Sequence, residues 1–269
     1  MIIIGEKING TIPATGAAIA AHDSDAIKAL ALAQAEAGSS YIDVCAGVSP
    51  EQEVETLRWL IDCVQSVTDV PISLDSSNPR SILAVMPDVN KPGLINSVSM
   101  EGDKTDVIFP AIADTEWECV ALLCGDGGIP STVEERLTIA RALLDKAAAY
   151  GIAPSRLHID PLVIALSTDG QSMSKFMECT RTLKEWHPEM HVTSGLSNIS
   201  FGLPVRRSIN QSFLTLAMSA GMDSAIMDPT NREMLAALLS TDALLEHDRF
   251  CRKYNTAYRK GKIGNKPQN

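Results

Sequence analysis

Short apolar runs alternate with longer stretches of helical periodicity along most of this chain, and the alternation repeats eight times. The apolar runs read as strands over Ile2 to Gly5, Tyr41 to Cys45, Ile72 to Asp75, Leu94 to Ser97, Cys119 to Cys124, Leu157 to Asp160, His191 to Leu196 and Ser224 to Asp228. Between them, apolar positions recur with the three-to-four spacing of a helix face, as in Val54, Leu57, Leu60, Ile61 and Val64. Punctuation supports the helices. Ser49-Pro50-Glu51-Gln52 supplies an N-cap, a proline at the first helical position and a capping-box glutamine, and Ser131 with Glu134 repeats the capping-box pattern. The second helix continues through Leu137, Ala140, Leu143, Leu144 and Ala147, and Gly151 is placed to end it. Further helices are expected over Asp25 to Ala37, Pro79 to Met86, Lys104 to Ala113, Gln171 to Trp186, Arg206 to Ala220 and Arg232 to Leu239. Eight strand-helix units predict an α/β fold of the TIM type, a single-domain (β/α)8 barrel with right-handed crossovers, with an open doubly wound sheet as the alternative. The barrel is expected over residues 1–250, followed over 251–269 by a basic, frayed C-terminal tail carrying Arg252, Lys253, Arg259, Lys260, Lys262 and Lys266.

The length of 269 residues suits one such barrel, and with aromatics at only 4% the core must be aliphatic. A net charge of −10 argues against a broad nucleic-acid face, since phosphates require clustered Lys and Arg. No apolar run approaches the roughly 18 residues of a membrane span, and the N-terminus lacks the basic start of a signal peptide, so a soluble cytoplasmic protein is expected. Six cysteines are scattered without a Cys-x-x-Cys pair, and five histidines show no ligand spacing, so neither a disulfide framework nor a metal site is expected. His158 reads as a residue of the barrel interior.

What departs from the apolar pattern is the C-terminal end of each strand, where barrels of this kind carry their chemistry. Glu6 and Asn9 follow the first strand, Asp43 lies in the second, and Asp75, Asn96 and Asp160 close the third, fourth and sixth. The seventh runs into Gly195, Ser197 and Asn198. Any one of these is explained as readily by a turn. Three buried strand ends finishing in acid or amide are not, because such groups are costly unless paired. A mouth lined by Asp, Asn and Ser without a base suits a neutral heterocycle rich in donors, such as an amino-pyrimidinone, since a carboxylate accepts two parallel hydrogen bonds from a ring N–H and its neighbouring amino group.

The succession Ile-Gly-Glu-Lys-Ile-Asn-Gly, Leu-Asp-Ser-Ser-Asn, Ile-Asn-Ser, Ile-Asp-Pro-Leu and Gly-Leu-Ser-Asn-Ile-Ser resembles the pterin-binding methyltransferases. These exchange a methyl group between methyltetrahydrofolate and a corrinoid protein, and the likeness runs to about Leu239. The resemblance implies a TIM-type barrel working as a homodimer, with 5-methyltetrahydrofolate or tetrahydrofolate as substrate and a corrinoid (cobalamin) carried by a partner protein. It implies Asp75, Asn96 and Asp160 as anchors of the pterin ring, Asn198 as the catalytic amide at N5, and Gly195 and Ser197 as the surrounding wall. Arg206 matches a family arginine near the site and Ile226 an apolar contact on the last strand. Phe201 stands where the acetogen-type enzymes show Gln; the methionine-synthase relatives carry Phe there. Two other functions compete: a dihydropteroate-synthase-like enzyme, which would need basic groups at the mouth for a pyrophosphate where this chain has Met227-Asp228-Pro229-Thr230, and a non-catalytic pterin-binding subunit, which would have no use for an amide at N5.

Overall fold

The computed structural model describes residues 1–264. Among them, eight parallel strands form one sheet: β1 (Ile2–Asn9), β2 (Tyr41–Cys45), β3 (Ile72–Asp75), β4 (Leu94–Met100), β5 (Glu118–Gly125), β6 (Leu157–Asp160), β7 (His191–Val192) and β8 (Ser224–Met227). Each strand pairs with its sequence neighbours, and β1 also pairs with β8. Closure comes from the segment after β7. Asp223 N donates to Val192 O at 3.2 Å, Ile226 N to Ser194 O at 3.0 Å and Leu196 N to Ile226 O at 3.3 Å, while Gly195 bridges Ile226 in parallel register. The seventh strand, expected as far as Leu196, therefore ends its regular ladder at Val192, and its second half bends across to β8 to shut the barrel.

The helices surrounding this barrel are α1 (Pro13–Ala20), α2 (Ser24–Ala37), α3 (Pro50–Gln65), α4 (Pro79–Val85), α5 (Lys104–Ile112), α6 (Val133–Ala149), α7 (Ser172–Trp186), α8 (Arg206–Ala220), α9 (Arg232–Leu244) and α10 (Arg252–Arg259). The stripe on α3 works as expected: Leu57, Leu60, Ile61 and Val64 are all buried against the strands. Two caps differ from expectation. The capping box of α6 is Thr132 with Glu135, one residue later than Ser131 and Glu134, because Thr132 supplies the oxygen that accepts from Glu135 N. Ser49 makes no side-chain cap bond, which leaves Pro50 at the first position as the start signal of α3. The segment expected to fray instead forms α10, with Ala257 and, beyond it, Ile263 buried against Leu235 of α9; Lys266 lies outside the described residues.

Inside the barrel, alternation along each strand stacks side chains in layers. Ile4, Leu94 and Val120, with Tyr41, Leu122 and Ile226 packed on them, make an apolar plug at mid-height. Below it lies a polar floor. His158 is fully buried between the Glu118 carboxylate, 2.7 Å from Nε2, and the Ser224 hydroxyl, 2.9 Å from Nδ1. A carboxylate can only accept, so Nε2 carries the proton and Nδ1 accepts from Ser224, consistent with burial holding the ring below the ordinary histidine range. The plug separates this floor from the carboxyl-terminal end, where the remaining polar strand positions gather.

Candidate functional site at the barrel mouth

Strand register brings the predicted polar ends to one level. Cys45 pairs with Asp75, and Asp75 with Asn96, across β2, β3 and β4, and Asp160 pairs with Leu122 on β5. Asn96 and Asp160 are 8% and 5% exposed, far below what such side chains tolerate without partners. Burial lifts the Asp160 carboxyl to about 7, against the pull of the Leu162 N–H, 2.8 Å from Oδ1, of Arg136 and of the Gly195 N–H. Asp75 is raised to about 6, again by burial first, and is held down by hydrogen bonds from the Cys45 thiol and the Asp43 carboxyl. Opposite, on β1, Glu6 reaches about 7 through burial and the nearby Asp228 carboxylate, while Lys7 lies 3.5 Å from Asp228. The pocket is thus a ring of carboxyls that are close to their titration points near neutrality, able to exchange between proton donor and acceptor with little change in free energy.

The wall on the seventh side is built by the turn after β7. Gly195 lies beside Ile226, and a Cβ built on Gly195 would come within 3.3 Å of the Asn198 amide nitrogen, so the absent side chain is what lets the amide lie across the turn. Asn198 opens a short 3-10 turn over Asn198–Ser200 and is exposed to the mouth. Arg206 does not enter the pocket. Its Nη2 donates to Ser197 O at 2.7 Å and its Nε to Ser200 Oγ at 3.0 Å, so it clamps the turn from behind, and Ser197 contributes a carbonyl to that clamp. Phe201 stands away from the site, 69% exposed, with the Arg206 guanidinium 5.9 Å from its ring centre.

Asp43 was read in the sequence only as a polar strand position, and two further contributors, Ser73 and Arg136, were not singled out there. Asp43 is 2% exposed and accepts from Ser73 Oγ at 2.5 Å and from Asn96 Nδ2 at 3.2 Å. Ser73 follows the strand alternation and could have been read with Asp75, two residues on. Arg136 is fully buried on α6 and donates through Nη1 to Pro161 O at 3.0 Å and Leu162 O at 2.8 Å, fixing the segment that follows Asp160. Nothing in sequence distinguishes it from the other charged residues of α6. Among the described residues, no group of three or more His, Cys, Asp or Glu is arranged to hold a metal ion.

Comparison with known proteins fits this architecture. Residues 12–228 match the family described as pterin binding enzyme. The chain is 52% identical over 266 residues to the methylcorrinoid:tetrahydrofolate methyltransferase of Eubacterium limosum, covering 98% of both chains. It is 30% identical to the methionine synthase of Mycobacterium leprae over 84% of its own length, and it spans about a fifth (20%) of that protein. Among solved structures, the dihydropteroate synthase of Xanthomonas albilineans with 4-aminobenzoic acid superposes with a TM-score of 0.66 at 19% identity, covering 91% of this chain and 92% of the other. The Yersinia pestis dihydropteroate synthase with a pterine-sulfa conjugate gives 0.65 at 17%, covering 91% and 94%. These two likenesses concern the fold alone.

Proposed function

Since the chain belongs to the pterin-binding enzymes, we propose the following use of its barrel mouth. The protein is a methyltransferase that moves a methyl group between N5 of tetrahydrofolate and the cobalt of a corrinoid carried by a partner protein. The observation that carries this is the 52% identity, sustained over 98% of both chains, to a methylcorrinoid:tetrahydrofolate methyltransferase. A dihydropteroate-synthase activity has only a shared fold behind it, at 17% to 20% identity.

The pterin ring lies against Asp75, Asn96 and Asp160, whose acceptor oxygens meet its N–H and amino donors. Buried carboxyls near their titration points suit this, because a donor arriving from the ligand restores the ionised form that burial had disfavoured. Gly195, Ser197 and Ile226 form the wall that orients N5, and Arg206 keeps that wall in place. Breaking the bond from N5 to its methyl carbon leaves the electron pair on N5, and a proton must follow; in the opposite direction the amine gives up that proton as the methyl arrives. The corrinoid supplies the strong cobalt nucleophile or, reversed, the methyl. Asn198 donates from its amide to N5 as negative character develops there. An amide does not titrate near neutrality, so its contribution is electrostatic rather than a proton transfer.

The protein works in the cytoplasm as a homodimer. Supporting the first, all six cysteines are free thiols, five of them at least partly buried. For the second, Leu244 and Phe250 are 80% and 74% exposed near the C-terminus and available to a second copy. No helix among the described residues is long and apolar enough to cross a membrane.

The experiment is single-turnover transfer to Co(I) cobalamin at saturating methyltetrahydrofolate. Asn198→Ala is expected to slow the step by about 10²- to 10³-fold while weakening pterin binding much less, since the lost contact strengthens only in the transition state. A near-normal rate would make Asn198 a loop residue and favour a pterin-binding subunit without its own chemistry.

A further inference from the structure

We propose that Asp43 serves as a permanently neutral acid that sets the hydrogen-bond polarity of two pterin anchors, donating its proton to Asp75 and accepting from Asn96. It is a positioning residue for the pterin site read above, and it touches no reacting atom.

The geometry leaves little choice. One oxygen of Asp43, Oδ1, accepts from the Ser73 hydroxyl at 2.5 Å and from the Asn96 amide nitrogen at 3.2 Å. Register makes Asp43 on β2 and Asp75 on β3 diagonal neighbours on one face of the sheet, close enough for the Asp43 carboxyl to act as a hydrogen-bond donor to that of Asp75. Two carboxylates in contact cannot both be ionised without a proton between them, and the environment decides which one keeps it. Asp43 is the deeper, 2% exposed and without a cation beside it, whereas Asp75 sits at the strand end with the Cys45 thiol as a further donor. Burial, the neighbouring Asp75 charge and, from β1, Glu6 all push the Asp43 carboxyl well above its ordinary range, while among the described residues Asp75 is faced in addition only by Glu53 of α3, so the proton stays on Asp43.

Two consequences follow for the ligand. Asp75 is left as a carboxylate, an acceptor only, facing the mouth. Asn96 is committed to Asp43 through its NH2 group, which turns its carbonyl oxygen away from Asp43 and makes that atom an acceptor as well. A ring edge rich in donors fits this pattern, and one rich in acceptors meets unpaired lone pairs and is rejected. An ionised Asp43 would abolish the arrangement, since it would have nothing to donate and would drive the shared proton onto Asp75.

Calorimetric titration of methyltetrahydrofolate into the parent protein, Asp43→Ala and Asp43→Asn tests this over about pH 5 to pH 8. The asparagine reproduces a neutral acid, with one acceptor oxygen and one donor group. It is expected to weaken binding by no more than about threefold, against at least about tenfold for Asp43→Ala, the effect of losing hydrogen bonds to a charged partner. In the parent, the Asp75 part of the affinity is lost as pH drops through about 6, below the Asp160 step near 7 that all three proteins share; the Asp75 step moves to higher pH in Asp43→Ala and stays in place in Asp43→Asn. A loss in Asp43→Asn as large as in Asp43→Ala overturns the proposal, because it would mean that the ionised acid is needed. If Asp43→Ala does not fold, the Asp43 carboxyl carbon shift in the parent decides: a protonated acid through pH 8 supports the proposal and an ionised one ends it. Absence of methyltetrahydrofolate binding in the parent would instead refute the pterin reading of the pocket.

Discussion

Asp160, proposed above as a pterin anchor, shows how a polar strand end is kept at the expense of the fold. Its carboxyl titrates near 7 in the folded protein, above the ordinary aspartate value of 3.8 that the unfolded chain shows. The folded state therefore holds a proton that the unfolded state has released, and stability falls as pH rises between these two values. Asp160→Asn removes that cost while keeping an oxygen for the Leu162 N–H. The ligand-free variant should be more stable than the parent at about pH 8, by on the order of a few kcal/mol at most in unfolding free energy measured by denaturant titration, and gain nothing at about pH 4. An equal gain at both pH values would show that charge burial is not the cause. Methyltetrahydrofolate affinity should fall in the same variant, the usual exchange of stability for function at a strained site. At this scale the strand-end acids were readable, because polar residues closing apolar runs need a reason. Asp43 was seen as a polar strand position but not as a partner of Asn96, since their contact spans 53 residues and depends on the β2–β3–β4 register.

At the scale of elements, the connection from β7 to α8 carries the turn on which we place Asn198's proposed role. A two-residue strand cannot fix the turn after it by its own ladder, so the turn depends on β8 on one side and on Arg206 at the first position of α8 on the other. Removing the guanidinium frees two hydrogen bonds to Ser197 and Ser200. Arg206→Ala should therefore lower single-turnover transfer by about tenfold or more, a penalty typical of reacting groups held slightly out of place, with a smaller change in pterin affinity. Arg206→Lys should recover little, because one ammonium does not span both acceptors in the planar geometry of the guanidinium. Full activity in the lysine variant would reduce Arg206 to a source of charge. The alternation of strands and helices was legible because each amphipathic helix and apolar strand carries its own period. Two helices escaped. The small residues of α1, Pro13-Ala-Thr-Gly-Ala-Ala-Ile-Ala, bury only Thr15 and Ile19 and give no stripe, and the charges of α10 hide the single apolar contact through Ala257. The early end of β7 was equally hidden, since Thr193 still donates to Ile159 of β6 and Ser194 to Leu196 keep a strand-like pattern while bonding to β8.

For the molecule as a whole, the two barrel ends differ in a way that directs a large partner. The lower end is closed by the His158–Glu118–Ser224 floor beneath the apolar plug, so a methyl group held in the proposed pterin site above Asp75 and Asp160 can be reached only from the mouth. Around that mouth, apolar side chains stand exposed on three separate connections: Val48 after β2, Ile129 after β5, and Phe201 and Val205 after β7, at 36%, 49%, 69% and 75% exposure. On a chain with a net charge of −10, such a rim suits a protein that must approach closely and leave again. If the corrinoid protein docks there, Phe201→Ser combined with Val205→Ser should lower kcat/KM for the corrinoid protein by about tenfold or more, the cost of losing an interface anchor. Transfer to free cobalamin and the affinity for methyltetrahydrofolate should both stay within about twofold, because neither small molecule uses the rim. An equal loss with free cobalamin would place Phe201 and Val205 in the support of Asn198 rather than in an interface. No loss with either acceptor would put the docking surface elsewhere on the rim, with Val48 and Ile129 as the remaining apolar positions to test.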